Sequence, residues 1–501
     1  MRSRKHLSTF TVLLFGGAVG AFGDCPGKDF SSMQVVVAPD VPELVMAALL
    51  PDIRQHVLQT DIPNVDGSQS GFKYHLSNIK LESMDIESVE TDFKGDTPVK
   101  AVVKAKGKLD WKYELSSWPH LPKGSGSATV SLSNAKLAVH SAAAFDQCSR
   151  DSPPSNIDRV DVKIEKVDVN VSGGILTWLY SLIVGRLNGS IKGKIEESVA
   201  SAVKDSMQKE LETQWRTIPF EKDFEGHAKF SVLPAAPSEA SRVGDRDVLR
   251  VRLDGAFLSE NEECKALPRS STMEGYDCES VLEDSVRSGR RLFVIFDDYV
   301  LTTALCSFYA EGVFRVTVDD KLVPKEYLTT EYFRFLAPPV FAKHPKNPVR
   351  YHVKAGPSTP TVHTQKQEQS VLSGQVLVDV EAEAEGAWVP LFSLEVSNSW
   401  MVTPKLDGMR MGADVSFKEL SMKLASSEVG EFDVNSLQTL LQAIVVPVVL
   451  QEVNKFLDGG VQLPLPEGIT LKDDQIEMGE GCWVVGTNAE YRKDSDTVIV
   501  V

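Results

Sequence analysis

The sequence predicts an α+β protein made of two similar halves. In each half a short helical segment comes first, long strands that alternate apolar and polar residues follow, and a long apolar helix comes last. The chain has 501 residues, enough for more than one domain, and 42% of them are hydrophobic, which allows more than one core. We therefore expect an N-terminal domain over 24–258, a linker over 259–290 and a C-terminal domain over 291–501.

The first 23 residues have the features of a secretory signal peptide. Three basic residues precede an uncharged, mostly apolar run over 11–22, which is shorter than the about 20 residues that span a bilayer. Small side chains at Ala21 and Gly23 fit cleavage before Asp24. We expect residues 1–23 to be removed and the product to be secreted and extracellular; a buried N-terminal helix is the alternative.

The chain is strongly acidic. Its formal net charge is -17, and loss of the signal segment, with three basic and no acidic residues, takes this to -20. Such a charge repels nucleic acids and anionic bilayers at long range. We expect no nucleic-acid partner.

Alternating apolar and polar residues mark the strands. In 99–115 the apolar residues occupy alternate positions and lysines fill most of the places between them. This predicts a strand with one buried and one solvated face, and segments 128–139 and 160–171 continue the pattern. Strands well above the usual length of about 5–6 residues suit a twisted, curved sheet.

Apolar spacings of three and four residues predict the helices. One covers 41–59, with a kink at Pro51, and another covers 174–215, weakened by three internal glycines. The last covers 434–457 and should bend at Pro447. The second half also opens with a predicted strand and helix, over 292–296 and 301–309. A curved sheet around a long apolar helix is a plausible lipid container, and an ordinary packed core fits the same periods.

The chain has six cysteines, an even number that suggests disulfides in a secreted protein. They have neither a CxxC pair nor zinc-ligand spacing, so we expect no metal site. The disulfide candidates are Cys25, Cys148, Cys264, Cys278, Cys306 and Cys482. Asn170 and Asn188 begin glycosylation sequons.

Residues 296–305, with the sequence FDDYVLTTAL, are similar to the start of the C-terminal barrel in a known family. That family contains bactericidal/permeability-increasing protein, lipopolysaccharide-binding protein and the plasma lipid-transfer proteins. Many short matches follow in order, and they carry the resemblance together. They lie at 311–313, 323–326, 335–336, 445–449, 453–454 and 463–466, with weaker echoes at 83–86, 107–108 and 254–257.

The resemblance implies an elongated, boomerang-like protein of two barrels, each a twisted antiparallel sheet around a long helix, joined by a central sheet. It also implies an apolar pocket in each barrel that holds the acyl chains of phospholipid or lipopolysaccharide. Each residue that we expect to line the pockets is equally compatible with plain core. These residues are Leu44, Leu49, Ile53, Leu176, Leu179, Ile183, Leu301, Leu305, Phe308, Leu441, Ile444, Val445 and Val449.

The family's N-terminal barrel has a disulfide from a strand to the long helix. Cys148 occupies the strand position, whereas segment 174–215 contains no cysteine. Cys148 is therefore expected to be free or paired elsewhere. The pairs that we expect are Cys25 with Cys148, Cys264 with Cys278, and Cys306 with Cys482.

Antibacterial members of the family resemble one another in a basic N-terminal tip. The lysines of 99–115 form a local basic strand here, and two tryptophans lie near the predicted hairpin tip. A solvated strand face with core tryptophans is the alternative. The residues expected to contact a membrane or headgroup are Lys104, Lys106, Lys108, Trp111, Lys112 and Trp118.

The first hypothesis is a secreted lipid-binding or lipid-transfer protein without catalytic residues or a cofactor. Its partners would be phospholipid or other lipids and, transiently, a membrane or lipoprotein surface. An innate-immune protein that binds lipopolysaccharide is the second hypothesis. The third is a lipid hydrolase, which the absence of G-x-S-x-G, H-E-x-x-H and metal-spaced acid clusters disfavours.

Overall fold

A computed structural model of the chain describes most residues between 31 and 500. The described residues are 31–38, 53–69, 71–91, 99–115, 123–143, 155–172, 181, 185, 192–216, 221–224, 228–235, 239–260, 262–265, 267, 278–312, 315–356, 358–366, 369–408, 410–458, 461–462, 469–492 and 498–500. They form a mixed α+β fold that consists mostly of antiparallel sheet, which confirms the predicted class.

The strands belong to three sheets. In chain order they are β1 (Met33–Val37), β2 (Val65–Gln69), β3 (Phe72–Thr91), β4 (Val99–Leu115), β5 (Lys123–Ala143), β6 (Ser155–Ser172), β7 (Glu221–Phe224), β8 (Ala228–Pro234), β9 (Glu239–Val243), β10 (Arg246–Leu258), β11 (Leu292–Asp297), β12 (Val316–Val318), β13 (Val349–Ala355), β14 (Thr361–Thr364), β15 (Ser370–Ala384), β16 (Ala387–Asp407), β17 (Arg410–Ser427), β18 (Val461–Gln462), β19 (Ile469–Gly479), β20 (Cys482–Arg492) and β21 (Val498–Val500).

The helices lie between and against these sheets. They are α1 (53–58), α2 (Lys192–Trp215), α3 (Glu262–Lys265), α4 (Cys278–Arg287), α5 (Asp298–Ala310), α6 (Phe333–Leu336), α7 (Pro338–Lys343) and α8 (Asn435–Asp458). Two 3₁₀ turns, Lys325–Tyr327 and Thr330–Tyr332, precede α6.

A central sheet joins the two halves of the chain. Its order is β19-β20-β11-β1-β10-β8-β7, so β1 lies between a strand of the first half and a strand of the second. Val35, for example, pairs with Val251 on one side and Val294 on the other. The N-terminal sheet has the order β2-β3-β4-β5-β6, and the C-terminal sheet has the order β12-β13-β15-β16-β17-β18. Across the described residues each sheet is open, so closed barrels are not confirmed.

The N-terminal sheet contains the long strand that the alternation predicted. β4 buries Val103, Leu109 and Trp111 and exposes the lysines between them. Two asparagines, Asn78 and Asn134, lie with φ of 51° and 53° at register shifts in this sheet. Asparagine tolerates the left-handed region better than most residues, and such bulges bend and twist long strands.

Helix α2 covers the edge of the N-terminal sheet. Its apolar side packs into the first core, the cluster formed by that sheet, α1, α2 and residues of the central sheet. The side chains of Glu196 and Gln208 accept hydrogen bonds from the backbone amides of Ile164 and Ile157 on β6, at 2.7 and 2.8 Å. The edge strand is therefore capped at these amides by side chains of α2.

Helix α8 matches the helix predicted over 434–457. Leu437, Leu441 and Val445 are buried in the second core, the cluster between α8 and the C-terminal sheet. The helix bends by 40° between its arms at 435–443 and 445–455. Pro447 explains the predicted kink, because it has no amide proton for the carbonyl four residues earlier and its ring clashes with that carbonyl.

Helix α8 is the most membrane-like of the described helices. Among the described residues, no helix is by itself both long and apolar enough to cross a bilayer, although the two arms of α8 satisfy the criteria when taken together. Most of the apolar side chains described on this helix are buried or partly buried in the protein.

The predicted linker contains a packed helix that the sequence pattern did not predict. Helix α4 buries Val281, Leu282 and Val286 in the third core, a cluster on the central sheet that includes Phe293 and Val484. Ser285 lies on the same buried face, and its hydroxyl donates to Glu477 at 2.7 Å. A serine at a buried helical position obscures the apolar period.

The disulfides differ from the expected pairs. Cys264 is bonded to Cys306, with Cα atoms 5.7 Å apart, and Cys278 is bonded to Cys482, with Cα atoms 6.2 Å apart. The predicted pairs of Cys264 with Cys278 and of Cys306 with Cys482 are therefore wrong. The packing of α3 on α5 and of α4 on β20 decides the pairing. Cys25 and Cys148 lie outside the described residues.

Candidate functional site

An apolar cluster lies where α5, α8, the C-terminal sheet and the central sheet meet; we call it the junction cluster. Its buried members are Val402, Ala413, Val415 and Trp483. Partly buried apolar side chains surround them. These are Leu301, Leu372, Trp400, Met411, Leu450, Val453, Leu457, Ile476 and Met478.

The junction cluster differs from the second core in how completely it is buried. Among the described residues, partly buried members outnumber buried ones in the junction cluster, whereas buried members outnumber partly buried ones in the second core. Apolar surface that remains accessible between packed elements is typical of a ligand-binding cleft. The junction cluster is therefore the candidate site for an apolar ligand.

A buried polar network holds the walls of the junction cluster together. Trp483 on β20 donates its indole N–H to Ser370 Oγ on β15 at 2.6 Å, and Ser370 Oγ lies 2.8 Å from Thr364 Oγ1 on β14. Thr364 in turn donates its backbone amide to Asp298 Oδ2 on α5 at 2.8 Å. Each link joins a different element, so the network fixes the C-terminal sheet against the central sheet and α5.

Two consecutive carboxyl groups begin α5 beside this network. Asp297 caps the helix by accepting from the Val300 amide at 3.1 Å. Burial, together with the neighbouring charges of Asp298 and Asp254, raises the pKa of Asp297 to about 7. Burial also raises the pKa of Asp298, against the hydrogen bonds from Thr364 that favour its charged form. Ionisation of these two carboxyl groups is therefore disfavoured in the folded protein, and their contribution to its stability depends on pH.

The structure distributes the predicted lipid-contact residues over several places. Leu301 belongs to the junction cluster, while Leu305 and Phe308 are half-buried on the same helix, α5. The Phe308 ring lies 5.9 Å from the ring of Phe257. Contact of these residues with acyl chains stays a prediction.

The remaining predicted lipid-contact residues lie in cores or beyond the described part of the chain. On α8, Leu441 and Val445 are buried in the second core, Val449 packs against it and Ile444 lies in the same helix. Ile53 is buried in the first core. The others, Leu44, Leu49, Leu176, Leu179 and Ile183, lie outside the described residues.

Most residues of the junction cluster were not predicted from the sequence. Leu450, Val453 and Leu457 continue the helical spacing of α8, so the stripe itself contained that signal. Trp400 and Met411 come from two strands that are paired in the C-terminal sheet. Only the docking of that sheet against α8 shows that they share a site with the helix.

Of the predicted lysine–tryptophan surface, the structure exposes the lysines of β4 and buries Trp111. Lys104, Lys106, Lys108 and Lys112 are exposed on one face of β4. Glu87 pairs with Lys104, and Glu82 pairs with Lys108 at 2.6 Å, so part of this charge is neutralised.

Trp111 lies on the opposite face of β4 from these lysines. It is 2% exposed, stacks on Tyr113 and donates to the carbonyl of Ser127 at 3.3 Å. Because successive strand residues point to opposite faces, its assignment as a headgroup contact is wrong. Trp118 lies outside the described residues. Of the two predicted glycosylation sites, Asn170 is exposed on β6 and Asn188 lies outside the described residues.

Comparison with known proteins identifies the family. Residues 248–491 match the LBP / BPI / CETP family, C-terminal domain. This C-terminal region belongs to the LBP / BPI / CETP family. The resemblance predicted from residues 296–305 and the later short matches is therefore confirmed.

Relatives with names from the same family align with nearly the whole chain. It is 21% identical to the lipopolysaccharide-binding protein of Mus musculus over 97% of this chain and 98% of that protein. It is 20% identical to the bactericidal permeability-increasing protein of Sebastes schlegelii, over 88% and 91% of the two chains. A BPI/LBP family protein of Arabidopsis thaliana is 21% identical over 93% of each chain.

A crystal structure of lipopolysaccharide binding protein shares the fold. The TM-score is 0.58 at 16% identity, and the match covers 92% of this chain and 99% of the other. At 16% identity this likeness establishes the fold alone. The ligand must be inferred from the residues of the site.

Proposed function

We propose that the chain is a secreted lipid-binding protein that buries acyl chains, and that the junction cluster is one of its binding sites. The observation that carries the proposal is the ring of partly buried apolar side chains around Val402, Val415 and Trp483. Burial contributes about 0.8 kcal/mol per CH₂ group, so a chain of about a dozen carbons contributes roughly 10 kcal/mol before entropy costs. The proposal includes no catalytic step and no cofactor.

The proposal extends to the architecture that the family resemblance implies. Two barrels, over 24–258 and 291–501, would each hold lipid, and the segments containing Leu44 and Leu176 would help to enclose the N-terminal pocket. Secretion is supported by the signal-like residues 1–23. The central test is native extraction and mass spectrometry of protein secreted by its own cells. Bound phospholipid or another acyl lipid is expected, and lipid-free protein would contradict the proposal.

A charge placed in the junction cluster should expel the lipid. Val453 is partly buried there, whereas Gln451 on the same helix is exposed. We expect Val453→Glu to reduce the affinity for a fluorescent phospholipid at least tenfold, because an unpaired carboxylate costs several kcal/mol in an apolar cleft. Gln451→Glu is the matched control and should bind like the parent.

A second variant separates loss of binding from loss of folding. Val453→Phe adds apolar volume without charge and should also weaken binding of the phospholipid, while the thermal unfolding midpoint stays within a few degrees of the parent. Parent-like phospholipid binding by both Val453 variants would exclude the junction cluster as the site.

Recognition of lipopolysaccharide is the second candidate function. The name of the mouse relative favours it, and the exposed lysines of β4 provide the cationic face that it requires. The net charge of -17 opposes it. Lipid transfer and lipopolysaccharide recognition use the same acyl-chain burial and differ in the headgroup contact.

The lysine face provides the test between these two functions. We expect the variant Lys104→Gln, Lys106→Gln, Lys108→Gln and Lys112→Gln to keep its co-purified lipid and its transfer of phospholipid between vesicles. Binding of the parent to lipopolysaccharide vesicles at low salt, and its loss in this variant, would favour the second function. Parent-like transfer together with no lipopolysaccharide binding by either protein would favour lipid transfer.

A further inference from the structure

A polar cavity of about 440 Å³ opens on the outer face of the C-terminal sheet, apart from the junction cluster. This volume falls in the range of about 300–1,000 Å³ that small-molecule sites occupy. Its walls are formed by β15, β16 and β17 and by the segment over 358–361. We call it the hydroxyl pocket because seven of its lining side chains carry a hydroxyl group. These are Ser358, Thr359, Thr361, Ser373, Ser397, Ser399 and Ser421.

The floor of the hydroxyl pocket consists of two rows of polar residues across three strands. Ser373 pairs with Ser399, which pairs with Glu419. In the next row, Gln375 pairs with Ser397, which pairs with Ser421. Residues two apart on a strand share a face, so the rows lie side by side.

The floor faces away from the second core. Val396 and Met422, which alternate with the floor residues, are buried in that core. The polar floor residues therefore lie on the face of the sheet opposite α8, and packing against α8 does not explain why they are polar.

The side wall of the hydroxyl pocket is held in place by backbone contacts. The Gly356 amide donates to the carbonyl of Gln375 at 3.0 Å and to the Tyr309 hydroxyl at 2.5 Å. A Cβ at position 356 would lie 2.6 Å from that carbonyl oxygen, so only glycine allows this approach. Ser358, two residues later, donates to Gln375 Oε1 at 2.8 Å. The wall is therefore positioned before any ligand arrives.

The hydrogen-bonding capacity of the hydroxyl pocket exceeds its internal use. Gln375 Nε2 donates to Ser397 Oγ at 3.3 Å, and Ser399 Oγ lies 3.4 Å from both Ser373 Oγ and Glu419 Oε1. These contacts are long, and each hydroxyl offers one donor and two acceptor sites. Donors and acceptors thus remain for a ligand with several hydroxyl groups.

The charge and composition of the lining narrow the ligand class. Among the described residues that line the hydroxyl pocket, Glu419 is the one charged residue, and none is a cation or an aromatic residue. A phosphate or sulfate would meet a carboxylate without a compensating cation. A quaternary ammonium would lack the aromatic faces that recognise it. An acyl chain would lack apolar contacts, because Leu420 packs against the second core on the other face of the sheet.

We propose that the hydroxyl pocket binds a neutral sugar. Serine hydroxyls and the Gln375 amide complement sugar hydroxyls as both donors and acceptors, and Glu419 accepts from a pair of them. The sugar would come from a free glycan or from the headgroup of a neutral glycolipid, which share this chemistry. The proposal does not depend on acyl-chain binding at the junction cluster.

The test uses the full secreted chain and defined neutral sugars. Ligand-observed NMR with glucose, galactose, mannose and N-acetylglucosamine should show saturation transfer to at least one of them, and inorganic phosphate should not compete. Flotation with phosphatidylcholine vesicles, with and without a monohexosylceramide, distinguishes the two sources of the sugar. Binding confined to the glycolipid vesicles also supports the proposal and assigns the sugar to a lipid headgroup.

Two variants and a control connect any signal to the hydroxyl pocket. Ser397→Ala with Ser399→Ala removes two floor hydroxyls and should weaken sugar binding at least tenfold. Gly356→Ala displaces the wall and should have the same effect. Ser416→Ala with Ser426→Ala changes two exposed serines of β17 outside the pocket and should bind like the parent. No saturation transfer or flotation with any sugar at millimolar concentration, or parent-like binding by the floor variant, would overturn the proposal.

Discussion

Replacing both Cys278 and Cys482 by alanine is expected to lower the free energy of unfolding by about 5 kcal/mol. The disulfide closes a sequence separation of 204 residues, and the entropy that a cross-link removes from the unfolded chain grows with the length of that loop. It also fastens α4 to β20 and so supports the third core on the central sheet. Urea unfolding, followed by far-ultraviolet circular dichroism without reductant, measures the change.

The second disulfide is the matched comparison. Cys264 and Cys306 close a separation of 42 residues, so their double alanine variant should lose about 4 kcal/mol. A smaller loss for the Cys278 and Cys482 variant than for this one would contradict the loop-length argument.

Asparagine in place of Asp297 is expected to stabilise the protein at pH 8 by up to about 4 kcal/mol. The carboxyl is 2% exposed, and its pKa rises from 3.8 to about 7 because burial disfavours the charged form. A shift of about three pKa units corresponds to roughly 4 kcal/mol. Asparagine removes the charge and keeps an oxygen that accepts from the Val300 amide at the start of α5.

The sign of the pH dependence follows from proton binding. Between pH 4 and 7 the folded state holds a proton on Asp297 that the unfolded state has released. The parent therefore loses stability as the pH rises through this window, and the loss levels off above about pH 7. The Asp297→Asn variant lacks this contribution, so the two proteins should be similar near pH 4 and diverge towards pH 8.

The measurement is the difference in unfolding free energy between variant and parent at pH 4, 6 and 8. Asp407→Asn, at the exposed end of β16, is the control and should show no such divergence. A difference that is constant with pH would mean that Asp297 acts through its cap alone. A variant that is less stable than the parent at pH 8 would contradict a net cost of burying this charge.

The local pattern of the sequence was sufficient for individual elements. Alternation over 99–115 predicted β4 with its bounds, and the apolar stripe predicted α8 and its bend at Pro447. Trp111 occupies an apolar position of the same alternation, and its assignment to the lysine face ignored that period; the structure buries it. Period determines which face of an element a side chain occupies, because that geometry is local to the backbone.

The family resemblance, and the lipid ligand that it implies, rest on many short matches in order. Periodicity alone does not provide them. The apolar stripe of α8 is equally compatible with packed core and with pocket lining, and the structure divides its residues between two apolar clusters. Leu441 lies in the second core, while Val453 lies in the partly buried junction cluster.

Only the tertiary structure decided which elements meet. Cys278 is bonded to Cys482 because α4 packs on β20. The junction cluster forms because β16, β17 and α8 contact the central sheet. The rows of the hydroxyl pocket likewise depend on the register of three strands. The sequence determined the class, the long strands and the apolar helices through short-range periods. Docking, register and disulfide pairing arise between residues tens to hundreds of positions apart, where no local period acts.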